Sequence, residues 1–179
     1  LNTKYIIYNK QQSPIRNTHR LGSAWFVNDY RIVPDAEAEI MTMKNFNPTE
    51  TAIIHEEFKD QLKDNKFTKD TTGSIQLMQY QPNYLKYQYK ANRKQLVVFS
   101  EIYYPEGWKL FVDGKKANLV RANYILRAAI IPEGDHQLEM RFEPRSYTMG
   151  NKISGISSSF LLIFCVLILS YEIYRFYKM

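Results

Sequence analysis

The chain holds a single cysteine, Cys165, among 179 residues. One cysteine excludes an internal disulfide and a thiolate metal site, and it leaves the redox compartment open. Histidine is nearly as scarce. His19, His55 and His136 lack ligand spacing, and His55-Glu56-Glu57 has no second histidine four positions on, so no metal centre is expected. Seven glycines form no phosphate-cradling loop. No serine sits in a nucleophile elbow, so no triad is in view. Nothing calls for a cofactor. The net charge of +6 comes from 24 basic and 18 acidic residues, and the basic ones are scattered. That distribution gives no nucleic-acid footprint. The densest group, Lys59, Lys63, Lys66 and Lys69, is interleaved with Asp60, Asp64 and Asp70 and reads as a solvated loop or helix face. No signal-peptide pattern opens the chain, which starts at Leu1 without methionine; an exported domain needs such a signal, so further sequence is expected upstream.

Apolar and aromatic residues are plentiful. They make up 45% and 15% of the chain, with 14 Tyr and 10 Phe. Such a chain can bury a core, and its aromatic load leans toward strands. Ile153 to Tyr171 carries no charge, and Phe160 to Leu169 is almost wholly apolar. A helix of that length spans roughly 30 Å, the thickness of a bilayer core. Arg145 and Lys152 flank one end; Tyr171, Tyr174, Arg175, Tyr177 and Lys178 flank the other, as suits an interfacial anchor. Gly155, Ser157, Ser158 and Ser159 would let a neighbouring helix approach. Basic residues are balanced about the span, so charge alone does not orient it.

The remainder is patterned for strands. Short strands are expected at Lys4–Tyr8, Ala24–Val27, Tyr30–Val33 and Thr51–Ile54, with a turn signal at Asn28-Asp29. Asp35 caps a helix running to about Lys44. From Thr72 the period is strongly β: Ser74–Tyr80, Tyr84–Lys90, Gln95–Tyr103, Trp108–Val112, Asn123–Ile131 and His136–Phe142. Gln95–Tyr103 reads as a central strand covered on both faces. His136–Phe142 alternates as a half-buried antiparallel strand. Asp113-Gly114 is a hairpin signal, because Gly accepts positive φ. The fold class is therefore mainly β: an antiparallel β-sandwich-like domain, a short helix in the N-terminal part, and one C-terminal transmembrane α-helix. The boundaries expected are a mixed segment over 1–71, the sandwich over 72–150, the helix over 153–174 and a tail over 175–179. Few residues separate Pro144 from the span, which would keep the sandwich near the bilayer surface.

Chemistry-bearing candidates are few. Carboxylate pairs for glycosidic work would come from Glu101, Asp113, Glu139 and Glu143. Asp113 is better explained by its turn, and Glu139 and Glu143 by a polar strand face. Glu101 interrupts an apolar run. Tyr103, Tyr104 and Trp108, around Pro105-Glu106-Gly107, form the most suggestive patch: aromatic faces stack on sugar rings or sit at a lipid interface. The plainer reading is an aromatic plug closing one end of the sandwich. The candidate glycan- or interface-contacting residues are thus Tyr103, Tyr104, Trp108 and Glu101, with no catalytic and no metal residue.

Eight segments in order carry a family resemblance: LNTKYIIY (Leu1–Tyr8), LGSAWFV (Leu21–Val27), FNPTETAII (Phe46–Ile54), YQPNYLKY (Tyr80–Tyr87), FSEIYYPEGW (Phe99–Trp108), VDG (Val112–Gly114), NYILRA (Asn123–Ala128) and FEP (Phe142–Pro144). Together they resemble the C-terminal region of the YfhO family of bacterial membrane proteins. That resemblance implies a large multi-spanning parent similar to GT-C glycosyltransferases. Such proteins use a lipid-phosphate-linked sugar on the outer side of the cytoplasmic membrane and act on cell-envelope polymers. It also implies an extracytoplasmic β domain, a cytoplasmic tail, and a catalytic acid in an early loop outside this chain. The partners implied are the lipid bilayer, the parent's remaining transmembrane helices and an envelope glycan or lipid-linked sugar, with no nucleic acid. The alternative is a non-catalytic anchored module that binds glycan or protein.

Overall fold

A computed structural model of the chain describes residues 2–62 and 67–178. Lys63, Asp64 and Lys66 of the charge cluster lie outside the described residues. The chain divides into two compact units, Leu1–Phe142 and Glu143–Met179.

The first unit is mainly β. It opens with β1 (Tyr5–Ile6) and β2 (Ile15–Arg16), which pair only with each other. There follow β3 (Ala24–Val27), β4 (Asp29–Val33), α1 (Ala36–Met43), β5 (Thr51–His55), a 3-10 turn (Glu56–Phe58) and α2 (Lys59–Leu62). Then come β6 (Ser74–Gln81), β7 (Tyr84–Ala91), β8 (Gln95–Ile102), β9 (Trp108–Val112), β10 (Lys115–Ala117), β11 (Val120–Ala122), β12 (Leu126–Ile131) and β13 (Gly134–Phe142). One sheet runs β10-β9-β13-β7-β6 and the other β3-β8-β12-β11-β5-β4. The pairing is antiparallel except for the parallel β4–β5. Residues before 72 thus supply three strands to the same sheet as β8.

The alternation in β7 and β13 builds the sandwich. Their register places Leu138 opposite Tyr87 and Met140 opposite Leu85. That apolar face meets Val97, Phe99, Ala129 and Ile131 of the other sheet, all buried. Tyr87 and Phe99 touch edge to face across the gap, 5.3 Å between centroids. Burying each such side chain is worth about 1.5–3 kcal/mol before entropy is charged. The opposite face of the six-stranded sheet is buried too: Leu96, Val98 and Ala128 pack with Phe58, Leu62 and Phe67. β8 is therefore apolar throughout because both of its faces are covered, as its sequence indicates.

One turn signal takes on a wider role, and one strand reading comes out differently. β3 and β4 are joined by Asn28 alone, yet they form opposite edges of one sheet. Consecutive Cα atoms are 3.8 Å apart, so those edges must meet at that corner and the sheet must curl. Within that sheet β11 and β5 share a single register pair, Ala122 with Ile54. Asn28-Asp29 is thus a corner between sheet edges; it does not fold β3 onto β4. The expected strand over Asn123–Ile131 starts only at Leu126, because Asn123 and Tyr124 have φ of +48° and +70° and turn the chain instead.

Part of the charge cluster is also structural. Lys69 Nζ donates to Thr49 O at 3.0 Å. Asp70 is buried and accepts from Thr72 Oγ1 at 2.7 Å and from the Asn92 N–H at 2.5 Å. The Asn92 N–H above all, then the Thr72 hydroxyl, hold its carboxyl down to about 2. α1 keeps its expected cap: the Asp35 carboxylate accepts from the Ala38 N–H at 2.7 Å.

The Asp113-Gly114 hairpin forms with both residues at positive φ, +47° and +77°. Asp113 also reaches His136 Nδ1, while His136 Nε2 faces Glu133 O at 2.8 Å. Two acceptors on two ring nitrogens favour the imidazolium, and the His136 pKa is raised, first by Glu133 O and then by Asp113. Asp113 is lowered by the Gln137 N–H and by His136. The imidazolium's contribution is complete below the unfolded histidine value and is lost as pH rises through the folded one. The carboxylate's contribution is complete above the unfolded aspartate value and is lost as pH falls through the folded one. We expect the stability gap between wild type and Asp113→Asn to be widest between roughly pH 4 and 6.5. It should narrow on both sides in urea titrations across pH.

The second unit is α3 (Arg145–Tyr177), 33 residues with a mean hydropathy of 2.3 over its most apolar window. Pro144, unable to continue a helix N-terminally, marks its start. At 1.5 Å per residue it is roughly 50 Å long, enough to cross a bilayer. It is the one such helix among the described residues. Ser159 and Ser170 return their hydroxyls to Gly155 O and Val166 O, at 2.9 and 2.8 Å, which hides these polar groups from lipid.

Candidate functional site

Strand parity brings one acid and one base into the gap between the sheets. On β8, Val97, Phe99 and Glu101 share a face. On β12, Arg127 pairs with Phe99 and points the same way. Arg127 is only 3% exposed. Its Nε donates to Ile102 O at 2.8 Å, and Nη1 lies 3.3 Å from Met140 Sδ. Its guanidinium stacks over the Trp108 ring, 4.2 Å from the centroid. A desolvated cation on an indole face is one of the stronger cation–π geometries.

From Trp108 the stack continues outward. Its ring meets Phe142 at 5.3 Å, and Phe142 lies under Tyr104 at 6.2 Å with 26° between planes. Tyr104 is 49% exposed. Gly107 permits this: a Cβ there would sit 2.2 Å from the Phe142 ring. Its loop closes through the Trp108 N–H donating to Tyr104 O at 3.1 Å. A ladder of Tyr104, Phe142, Trp108 and Arg127 therefore runs from solvent into the sandwich core.

Glu101 is half-buried near the end of β8. Burial raises its pKa and Arg127 opposes that rise; burial in turn lowers Arg127, and Glu101 opposes it. Tyr87 completes the group. Its hydroxyl is buried without a hydrogen-bond partner, and burial followed by the Glu101 charge pushes its pKa up. An unpaired buried hydroxyl costs about 1–3 kcal/mol. Tyr87→Phe is therefore expected to leave stability unchanged or raise it by about 1 kcal/mol in thermal unfolding, an uncommon result for a core position.

Of the sequence candidates, the structure joins Trp108 and Tyr104 through Phe142, with Arg127 on the Trp108 ring and Glu101 half-buried within range of its charge. Tyr103 lies apart. It sits against the second core, with its ring edge-on to Phe58 at 5.6 Å and its N–H donating to Ile125 O at 2.7 Å. Two of the other carboxylates are paired with bases: Glu139 with Arg141 at 2.6 Å, which lowers its pKa, and Asp113 with His136. Among the described residues no metal-ligating group of three or more forms.

Sequence reasoning missed Arg127, Tyr87 and a second feature, a cleft of about 360 Å³. Three resemblance segments meet there, contributing Leu21 and Trp25, Phe46 and Pro48, and Asn123 to Leu126. Trp25 Nε1 donates to Pro48 O at 2.8 Å. The floor is fixed from behind: Asn123 Oδ1 accepts from the Ile53 N–H at 2.9 Å, and fully buried Glu39 accepts from the Tyr124 N–H at 2.6 Å. Arg20 and His19 stand at the rim. No local motif announces such a cleft, because its walls are far apart in sequence.

The family model described as bacterial membrane protein YfhO matches residues 41–154. The chain belongs to the YfhO family of bacterial membrane proteins. The YfhO match begins inside α1, takes in β5 to β13 and ends inside α3. It includes the whole ladder from Glu101 to Phe142; the segments Leu1–Tyr8 and Leu21–Val27 precede it. Comparison with curated proteins and with solved structures gave no match.

Proposed function

We propose that this chain is the accessory C-terminal part of a polyprenyl-phosphate-sugar-dependent glycosyltransferase of the YfhO family that modifies cell-envelope glycopolymers. The β domain lies on the extracytoplasmic side of the bacterial cytoplasmic membrane, α3 packs on the parent's other transmembrane helices, and catalysis resides elsewhere in the parent. The observation that carries the accessory role is that Glu139 is bound to Arg141, Asp113 to His136, and Glu101 is half-buried with its pKa raised by that burial. Glycosyl chemistry needs a free, reachable carboxylate. The outward face of the ladder, Tyr104 over Phe142, is a flat aromatic surface of the kind sugars stack on. It positions the acceptor polymer.

In cells lacking the gene, mass spectrometry of the envelope polymers should show a missing sugar substituent, restored by the full-length gene. Complementation with Tyr104→Ala should restore it incompletely, with acceptor use weaker by roughly 3- to 10-fold. Polymers unchanged by deletion would sink the glycosyltransferase reading.

The cleft supports a second reading, a glycan-binding module. Trp25 and Phe46 offer apolar faces, with Arg20 and His19 at the rim. Under that reading oligosaccharide binding by the full chain is lost in Phe46→Ala and kept in Tyr104→Ala.

A further inference from the structure

Residues 2–28 carry Lys4, Lys10, Arg16 and Arg20 and no acidic side chain; the first carboxylate of the chain is Asp29. This stretch also holds the small β1–β2 hairpin, a two-stranded sheet of its own. Register sets Ile6 opposite Ile15 and Tyr5 opposite Arg16, and Asn17 clamps the open end with its N–H on Lys4 O at 2.9 Å. Neither face is covered. Tyr5, Ile6, Ile7, Tyr8 and Ile15 are 53%, 48%, 68%, 62% and 53% exposed. An isolated hairpin gains little from its own pairing, and leaving that much apolar surface in water is unfavourable.

We propose that the β1–β2 hairpin docks into the headgroup layer of an anionic membrane surface. Three features of the molecule select that occupant over another protein. Tyrosines with aliphatic side chains and flanking cations are the side-chain set of the membrane–water interface. Four cations without one acid match anionic headgroups and would be poorly accommodated by an apolar helix. The chain also carries its own spanning helix, so a bilayer is at hand. The contact is a second membrane attachment, independent of α3 and of the glycosyltransferase reading.

The test uses the full chain carrying Cys165→Ser and Ser13→Cys, labelled at the hairpin loop with an environment-sensitive fluorophore. It is reconstituted in phosphatidylcholine vesicles or in phosphatidylcholine–phosphatidylglycerol vesicles. A blue shift and quenching by headgroup-proximal spin-labelled lipid are expected in the anionic vesicles only. Both should fade at high salt and be lost in Lys4→Gln/Lys10→Gln/Arg16→Gln, with carbonate-resistant retention of α3 unchanged. A label quenched by aqueous iodide alike in both lipids overturns the proposal. So does a label shielded alike in both, which would place a protein surface over the hairpin.

Discussion

Arg127→Ala is expected to lower the unfolding free energy of the β domain by about 3 kcal/mol. Three losses add. Ile102 O loses its donor. Trp108 loses the cation stacked on its face. Glu101 loses the charge that offsets its burial and faces the unpartnered Tyr87 hydroxyl. The last loss separates this account from simple cavity formation. In Glu101→Gln/Arg127→Ala, which keeps the same cavity and removes the stranded charge, part of the loss should be recovered. Urea titrations followed by tryptophan fluorescence measure both variants, and Trp108 reports directly on the site. If the double variant is no better than Arg127→Ala, the loss lies in packing and in the Ile102 donor, and the Glu101 charge plays no part in it.

The second large effect is expected at Glu39. Its side chain is fully buried in α1, accepts from the Tyr124 N–H at 2.6 Å and faces Arg121 at 3.7 Å. Those contacts hold two successive non-glycine residues at positive φ, a conformation that needs outside support. Glu39→Ala strands a buried N–H and weakens the hold on Arg121, which keeps Glu57 at 3.3 Å. The expected cost is about 3–5 kcal/mol, or roughly a 10–15 °C fall in Tm. Glu39→Gln preserves the acceptor and should lose less than half as much. Equal losses in the two variants would assign the effect to charge and leave the turn unsupported as its cause.

Both residues show where sequence reading stops. The sandwich was legible because its signals are local. Asp113-Gly114 specifies a hairpin by itself, the two-residue period of His136–Phe142 names its buried side, and the uncharged run from Ile153 to Tyr171 announces α3. Asp35 could be recognised as a cap from its neighbours alone. Arg127 was hidden because an arginine in NYILRAAII reads as an ordinary strand residue until its partner strand is known. Only the register with Phe99 turns it inward. Glu39 is an acid in the first turn of α1, where acids are ordinary, and its partner lies at Tyr124, far away in sequence. The corner at Asn28 was read as a turn, which it is. What it joins depends on β3 pairing with β8 and β4 with β5, and no neighbouring residue encodes that. Tyr103, Tyr104 and Trp108 were adjacent in sequence, but the end of β8 sends Tyr103 to the second core and the other two to the ladder.

Topology is the most direct measurement of the central claim, a β domain on the extracytoplasmic side tied to α3. Single cysteines at Lys116, beside the Asp113-Gly114 turn, and at Lys178, past α3, are placed in the full-length protein carrying Cys165→Ser. Intact cells are then treated with a membrane-impermeant maleimide. The account predicts labelling at 116 in intact cells and at 178 only after permeabilisation. Labelling at 178 with protection at 116 would contradict it.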